Sequence, residues 1–145
     1  MKKHDIVIRL IESEEIPSLL PIISLINPSI PEKKLTVMLE EMVQSGYRCA
    51  ATFEKERCVG VIGIWIHTKF YVGKHAEYDN VFLLPKYRKK GIGKKMLKFA
   101  NGYAKAQGCV AAELSCDVLE KGSQKFWEKI GFDTIGYRYQ KSLIG

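Results

Sequence analysis

The 145 residues predict one α+β domain spanning 1–145, built on a mixed, mostly antiparallel sheet of six to seven strands with helices on both faces. Three strand-like segments, 47–53, 58–67 and 76–84, follow one another without a helix between them, as antiparallel neighbours do. A strand, a helix and a further strand then fill 76–116, which predicts a parallel crossover of the α/β kind. The expected sheet is therefore not a doubly wound parallel one.

The N-terminal third predicts one strand and two helices. Residues 5–11 are rich in β-branched side chains, which favour a strand. A helix start follows at Ser13, and apolar residues then recur at helical spacing until the break at Asn27. A second helix is predicted after Pro31, and Gly46 stands where its C-terminal cap belongs.

The C-terminal half predicts two more helices and two more strands. A helix is expected from Gly91 to Gln107, followed by a strand over 109–116. A short helix is predicted over 123–130, and 132–143 has the pattern of a terminal strand or hairpin.

The composition is typical of a soluble globular protein, with 46% hydrophobic and 27% charged residues. The longest apolar stretches, such as 59–66, are too short to cross a bilayer as a helix. The N-terminus lacks the apolar run of a signal peptide. We therefore expect a cytoplasmic protein with no membrane partner. The four cysteines form no CxxC pair, so no metal site is predicted.

The net charge of +7 is concentrated in one segment. Between positions 86 and 98 the chain has seven basic residues and no acidic one, so the remainder is neutral in sum. Such a concentration indicates an anion site or a nucleic-acid contact. The seven residues are Lys86, Arg88, Lys89, Lys90, Lys94, Lys95 and Lys98.

A glycine-containing loop lies inside this basic segment, between a predicted strand and a predicted helix. The first amides of a helix have no intrahelical acceptor and carry partial positive charge, so a phosphate binds well there. The pattern is RxxGxG, with Arg88, Gly91 and Gly93 at the defined positions. A Walker P-loop would need Ser or Thr in place of Lys95, and a dinucleotide fingerprint would need glycine in place of Met96.

Two segments resemble the GNAT superfamily of N-acetyltransferases. Residues 81–97 resemble its central motif, and 126–132 resemble its late helix and the GF turn that follows. The resemblance covers essentially the whole chain. It implies the acyl-CoA N-acyltransferase fold, acetyl-CoA as cosubstrate, no metal, and an amine acceptor that attacks the thioester directly.

The resemblance also implies which residues contact the cofactor. The backbone of Phe82, Leu83 and Leu84 would pair with the pantetheine arm, and Ser123 and Trp127 would lie near it. The pyrophosphate would be bound by the loop residues Arg88, Lys89, Lys90, Gly91, Ile92, Gly93 and Lys94.

Glu77 is the candidate general base, because an ammonium must lose a proton before it attacks a thioester. It precedes Arg88 where histone-type members carry their glutamate base, and Asp79 is a weaker candidate on the same strand face. In the family, a tyrosine usually protonates the CoA thiolate. This chain has Trp127 at that position, and the indole N–H is too weak an acid for this role. The possible substitutes for that acid are Tyr87, Tyr137 and Tyr139.

Two alternatives to an enzyme are open at this stage: a CoA-binding sensor without catalysis and a small basic nucleic-acid-binding module. The second lacks helix-turn-helix spacing, paired aromatic motifs and zinc ligands, so no nucleic-acid partner is expected. The amine acceptor has no motif that identifies it, whether a small molecule or a peptide. A homodimer is favoured only by analogy with the family.

Overall fold

The computed structural model describes residues 5–145, in two compact units that divide between Ser115 and Cys116. Within residues 5–115 the first unit contains one five-stranded sheet in the order β1-β2-β3-β4-β5. Strands β1 to β4 pair antiparallel and β5 pairs parallel to β4, which confirms the mixed, mostly antiparallel prediction. The strands are β1 Ile6–Ile11, β2 Arg48–Glu54, β3 Arg57–Lys69, β4 Gly73–Leu83 and β5 Ala111–Leu114.

The helices follow the predicted order, with one change near the N-terminus. The helix expected from Ser13 begins as a 3-10 helix, Ser13–Leu19, and becomes α-helical only in α1, Leu20–Ile26. Pro17 inside the first part and Pro21 at the start of the second cannot donate backbone hydrogen bonds, which explains the tighter first turns. The other α-helices are α2 Glu32–Gln44, α3 Ile92–Ala106 and, in the second unit, α4 Lys121–Lys129. A short 3-10 helix, Pro85–Tyr87, lies between β4 and α3.

Helices cover both faces of the sheet, as predicted. Buried side chains of α1 and α2 pack in one cluster with Cys49, Ala51 and Val61 of β2 and β3. Because strand side chains alternate, Tyr78 belongs to the opposite face, and its hydroxyl donates to Asn101 Oδ1 of α3 at 2.6 Å. Among residues 5–145, no helix is both long enough and apolar enough to span a bilayer.

The predicted number of strands is wrong, since residues 5–145 form five strands rather than six or seven. The difference lies in 132–143, which adopts no regular structure. Its β-prone side chains are open to solvent, with Ile135 72%, Tyr137 82% and Tyr139 94% exposed. β-Branched and aromatic residues favour strands because their side chains pack well on the surface of a sheet. Within their unit, these side chains have no such surface.

Candidate active site

The edge of β4 extends beyond its neighbour on one side. The parallel pairing with β5 runs from His75↔Ala111 to Tyr78↔Leu114 and stops there. Strand β4 itself continues to Leu83. Backbone groups past Tyr78 therefore lie on a strand edge of the kind to which an extended ligand can add hydrogen bonds.

A β-bulge marks the point where β4 leaves β5. The register between β3 and β4 shifts between Val61 and Gly63, and Asn80 adopts a left-handed conformation with φ 54°. Asparagine tolerates that conformation better than most residues. The Asn80 side-chain amide donates to Tyr47 Oη at 3.0 Å, and its backbone N–H donates to Asp79 Oδ1 at 2.9 Å. These bonds fix the bulge in one geometry.

Beyond the bulge, successive backbone groups alternate between β3 and the open edge. The Leu84 N–H donates to Val59 O at 2.9 Å, so this residue faces β3. Leu83 consequently faces the open edge, and Arg88 Nε donates to its carbonyl at 2.7 Å. Of the three residues predicted to pair with the pantetheine arm, Phe82 and Leu84 direct their backbone to β3, whereas Leu83 directs its N–H outward.

The loop after β4 is anchored at both ends by buried side chains. Tyr87 is 1% exposed, and its hydroxyl donates to Glu54 Oε1 of β2 at 2.6 Å. That hydrogen bond to a carboxylate, together with burial, raises the pKa of Tyr87. Ile92 is 3% exposed in the core under α3. Tyr87 is thus a structural anchor, and its hydroxyl is directed at Glu54 rather than at a ligand.

Between these anchors the loop presents backbone and positive charge to solvent. Lys89 and Gly91 both have left-handed backbone conformations, with φ 60° and 80°. Gly91 is the N-cap of α3 and makes no side-chain capping hydrogen bond, and the first turn of α3 has no acidic residue. The first amides of α3 and the exposed lysines around them place positive charge where a phosphate group could bind.

Glu77 lies in a cluster of polar side chains on β3, β4 and β5. Its side chain is 35% exposed, and its Oε2 is 3.3 Å from His67 Nε2 and 3.9 Å from Lys69 Nζ. The parallel register places Glu113 of β5 beside Glu77. Sequence reasoning missed Glu113, because β5 is distant in the chain and only the pairing register identifies its partner. Asp79 is instead engaged at the bulge, where it also accepts from Trp65 Nε1 at 3.4 Å.

Tyr71 also belongs to this cluster. Its hydroxyl donates to Glu113 Oε1 at 2.5 Å. Donation to a carboxylate raises the pKa of Tyr71 to about 12, so the phenol keeps its proton at neutral pH. The Glu113 carboxylate is therefore oriented by a neighbouring side chain.

In the second unit, α4 carries the two remaining predicted residues. Ser123 is exposed in its first turn. Trp127 is half-buried, with its ring 5.0 Å from the ring of Phe126 and 5.8 Å from that of Phe132. Phe132 N–H donates to Trp127 O at 2.9 Å, and Gly131 has φ 101°. The helix and turn predicted from 126–132 are therefore present.

A comparison with family models gives a match over residues 17–132 to the acetyltransferase (GNAT) family. That match covers most of the chain. This protein belongs to the GNAT acetyltransferase family. It is an acyl-CoA-dependent N-acetyltransferase, as the two sequence motifs predicted.

Relatives of this GNAT protein agree in length and fold. The uncharacterized N-acetyltransferase YhdJ of Bacillus subtilis is 25% identical over 137 residues, which cover 93% of this chain and 96% of the relative. An aminoglycoside N-acetyltransferase, AAC(6')-Iy in complex with CoA, superposes with a TM-score of 0.78 at 17% identity over 94% of this chain and 95% of the other. A ribosomal-protein-alanine N-acetyltransferase from Brucella melitensis gives 0.77 at 15% identity, over 95% and 99%. These structural matches confirm the fold.

Proposed function

We propose that the protein transfers an acetyl group from acetyl-CoA to a primary amine, by direct attack of that amine on the thioester. One observation carries the proposal: the open edge of β4 is followed, after the short 3-10 helix Pro85–Tyr87, by the basic, glycine-bearing start of α3. The extended pantetheine arm of CoA would fit the strand edge, and the pyrophosphate at its end would fit the basic loop. Glu77 lies in the middle of the same strand, on the other side of the bulge at Asn80 from the loop.

The pyrophosphate is assigned to the loop between Arg88 and Lys94. Its amides at the start of α3 supply hydrogen-bond donors, and Gly91 allows the turn that brings them together. Lys89, Lys90 and Lys94 are exposed and add positive charge around the phosphates. Ile92 contributes its backbone while its buried side chain holds the loop in place.

The pantetheine arm is assigned to the β4 edge, with Leu83 as its main backbone partner. Leu83 N–H is directed away from β3 and is the group that an added strand would use. Phe82 contributes its ring, over which the Arg88 guanidinium lies at 5.4 Å from the centroid. The role of Leu84 is then to hold β4 against β3, since its N–H already donates to Val59.

Glu77 is assigned as the general base. A primary ammonium has a pKa near ~10.4 and must be deprotonated before it attacks. A carboxylate accepts that proton directly or through water. Glu113 beside it adds a second negative charge that attracts a cationic acceptor. Acceptors as different as an aminoglycoside and a ribosomal-protein alanine appear in the names of the structural neighbours, so only the primary amine is proposed here.

The thiolate of CoA leaves without a tyrosine acid at the position of Trp127. An indole N–H is too weak an acid to protonate a thiolate, although it can donate a hydrogen bond to one. We leave protonation of the thiolate to water. Tyr87 is not the acid, because its hydroxyl is bound to Glu54.

Binding of acetyl-CoA to the loop is testable through Gly91→Ala. Alanine at a left-handed φ costs about 1–2 kcal/mol, so the variant loop relaxes and binding must restore it. We expect acetyl-CoA at a hundred times its Kd to stabilise the wild type by about 2.7 kcal/mol. The Kd of Gly91→Ala should rise roughly 5–30-fold, measured by calorimetry.

Gly102→Ala is the matched control, because Gly102 lies exposed on the same helix and an added methyl group would extend into open space. It should gain about 1 kcal/mol in stability and keep the wild-type Kd. An oligonucleotide is the second control. If it stabilises the protein in a salt-sensitive way and acetyl-CoA does not, the proposed function is wrong.

A further inference from the structure

We propose that His75, Glu77 and Glu113 form a binding site for one divalent transition-metal ion, with Zn²⁺ as the representative. The three side chains converge in the polar cluster on β4 and β5. Their ligand atoms, one ring nitrogen and two carboxylate oxygens, all lie within 4.8 Å of one another. The site is distinct from the pyrophosphate loop and from the edge of β4 assigned to the pantetheine arm.

His75 is the observation that distinguishes this site from a group of surface acids. Its side chain is 0% exposed, and its Nδ1 lies 3.0 Å from Gly73 O. Since a carbonyl only accepts, the proton on Nδ1 is engaged there, and Nε2 is the ring nitrogen that faces the two carboxylates. That atom is buried and has no hydrogen-bond partner among residues 5–145. A backbone carbonyl on the far nitrogen is the usual arrangement of a metal-binding histidine.

The two carboxylates face this nitrogen without bonding to it. His75 Nε2 is 4.0 Å from Glu77 Oε2 and 3.9 Å from Glu113 Oε1. A hydrogen bond between Nε2 and either oxygen would bring the two atoms to about 2.8 Å. Both distances are longer, so Nε2 is hydrogen-bonded to neither carboxylate, and the three atoms surround a common space. A dication at that point would contact all three after each carboxylate moves inward by roughly half an ångström or more, toward the 2.0–2.2 Å typical of zinc.

The charge and the surrounding hydrogen bonds fit a dication. The two carboxylates carry two negative charges, which a bound Zn²⁺ would neutralise. His67 Nε2, 3.3 Å from Glu77 Oε2, and Tyr71, which donates to Glu113, orient the two carboxylates as outer-shell groups do. Lys69 Nζ lies 3.9 Å from Glu77 Oε2, but its side chain is half exposed and can turn into solvent when the ion binds.

The ligand types select the class of metal. Imidazole suits Zn²⁺, Cu²⁺, Ni²⁺ and Fe²⁺, whereas Mg²⁺ and Ca²⁺ prefer sites made of oxygen alone. A buried imidazole as the central ligand therefore favours a first-row transition ion. Three protein ligands also leave one coordination position for water or another group.

A bound ion would also affect catalysis. This consequence, unlike the metal site itself, rests on the proposed function. If Glu77 is the general base, a metal on its oxygen blocks proton transfer, and Zn²⁺ inhibits the reaction without competing with acetyl-CoA. The metal site itself does not depend on that role. Its test is therefore a binding measurement.

The experiment titrates Zn²⁺ into the chelator-treated full chain, with free zinc set by a competing chromophoric chelator. We expect one ion per chain, and a Kd at least roughly 100-fold weaker in both Glu113→Gln and His75→Gln. Glu56→Gln, which removes an exposed carboxylate in the β2–β3 turn, is the matched control and should bind as the wild type does.

Co²⁺ in place of zinc tests the ligand types by visible absorption. Nitrogen and oxygen ligands give only weak d–d bands, whereas binding through cysteines adds intense thiolate bands. The proposal is overturned if zinc does not bind, if thiolate bands appear, or if Glu113→Gln binds zinc as tightly as the wild type. Because His75 is buried, His75→Gln could misfold. Its zinc affinity is interpreted only if its circular dichroism spectrum is native, and if it is not, the zinc affinity of Glu113→Gln alone tests the proposal. A normal thermal shift with acetyl-CoA in a protein that fails to bind zinc would leave the proposed function intact.

Discussion

Gly63→Ala should lower the free energy of unfolding by about 2–4 kcal/mol, because the new methyl group has no space. A Cβ at this position would lie 2.6 Å from Tyr47 Cε1 and Cζ, and closer still to Tyr47 Oη. Tyr47 is 1% exposed, with its ring 5.1 Å from that of Trp65. Either the tyrosine leaves the core or β3 moves, and both responses also disturb the bulge that Tyr47 holds through Asn80. Chemical denaturation of both proteins measures the loss.

The clash can be separated from any effect of glycine on the strand itself by a double-mutant cycle. Tyr47→Leu removes the ring that the methyl group meets, at its own cost in stability. If the clash is the cause, Gly63→Ala should cost much less in the Tyr47→Leu background than in the wild type, giving an interaction energy of about 1–3 kcal/mol. Additive costs would contradict the steric explanation, and an unchanged stability of Gly63→Ala would contradict the packing of Tyr47.

Local sequence patterns predicted the elements of this fold well where packing agrees with propensity. The apolar spacing after Pro31 corresponds to α2, and the basic loop begins α3 as expected. The C-terminal residues 132–143 have the same kind of strand pattern as β3 but form no strand. The difference is not local, since strand formation needs a partner and a surface that the pattern does not specify.

The candidate site was predictable only in the parts that are contiguous in sequence. The loop from Arg88 to Gly93 is one continuous motif, so its suitability for binding a phosphate could be predicted from its residues. Glu113 joins Glu77 only through the parallel register of β4 and β5. His75 shares a strand face with Glu77 by alternation, but the burial of its ring is visible only in the structure. Asp79 resembled a second base, yet the bulge at Asn80 uses its carboxylate, and no spacing rule indicates where a bulge occurs.

Glu77 is both the proposed general base and a proposed metal ligand, so a bound ion would affect activity measurements. Glu77 Oε2 lies 3.3 Å from His67 Nε2 and 4.0 Å from His75 Nε2, so an ion bound there would occupy the carboxylate of the proposed base. Assays of acetyl transfer should therefore include a chelator, since trace zinc on Glu77 would mimic an inactive enzyme. Turnover that appears only with the chelator present would link the two proposals.

Glu77→Gln should reduce kcat for amine acetylation by roughly 10²–10⁴-fold, because the amide cannot accept the proton of the attacking ammonium. Glutamine has nearly the same shape and remains within reach of His67, so the fold and the Kd for acetyl-CoA should change little. Release of free thiol from acetyl-CoA, with an acceptor chosen from a panel of primary amines, measures the rate. Asp79→Asn is the matched control: its carboxylate accepts from Trp65 and from Asn80, so that variant should lose stability while keeping most of its turnover. A Glu77→Gln protein that retains wild-type kcat would remove Glu77 from the mechanism, and a larger loss in Asp79→Asn would make Asp79 the base.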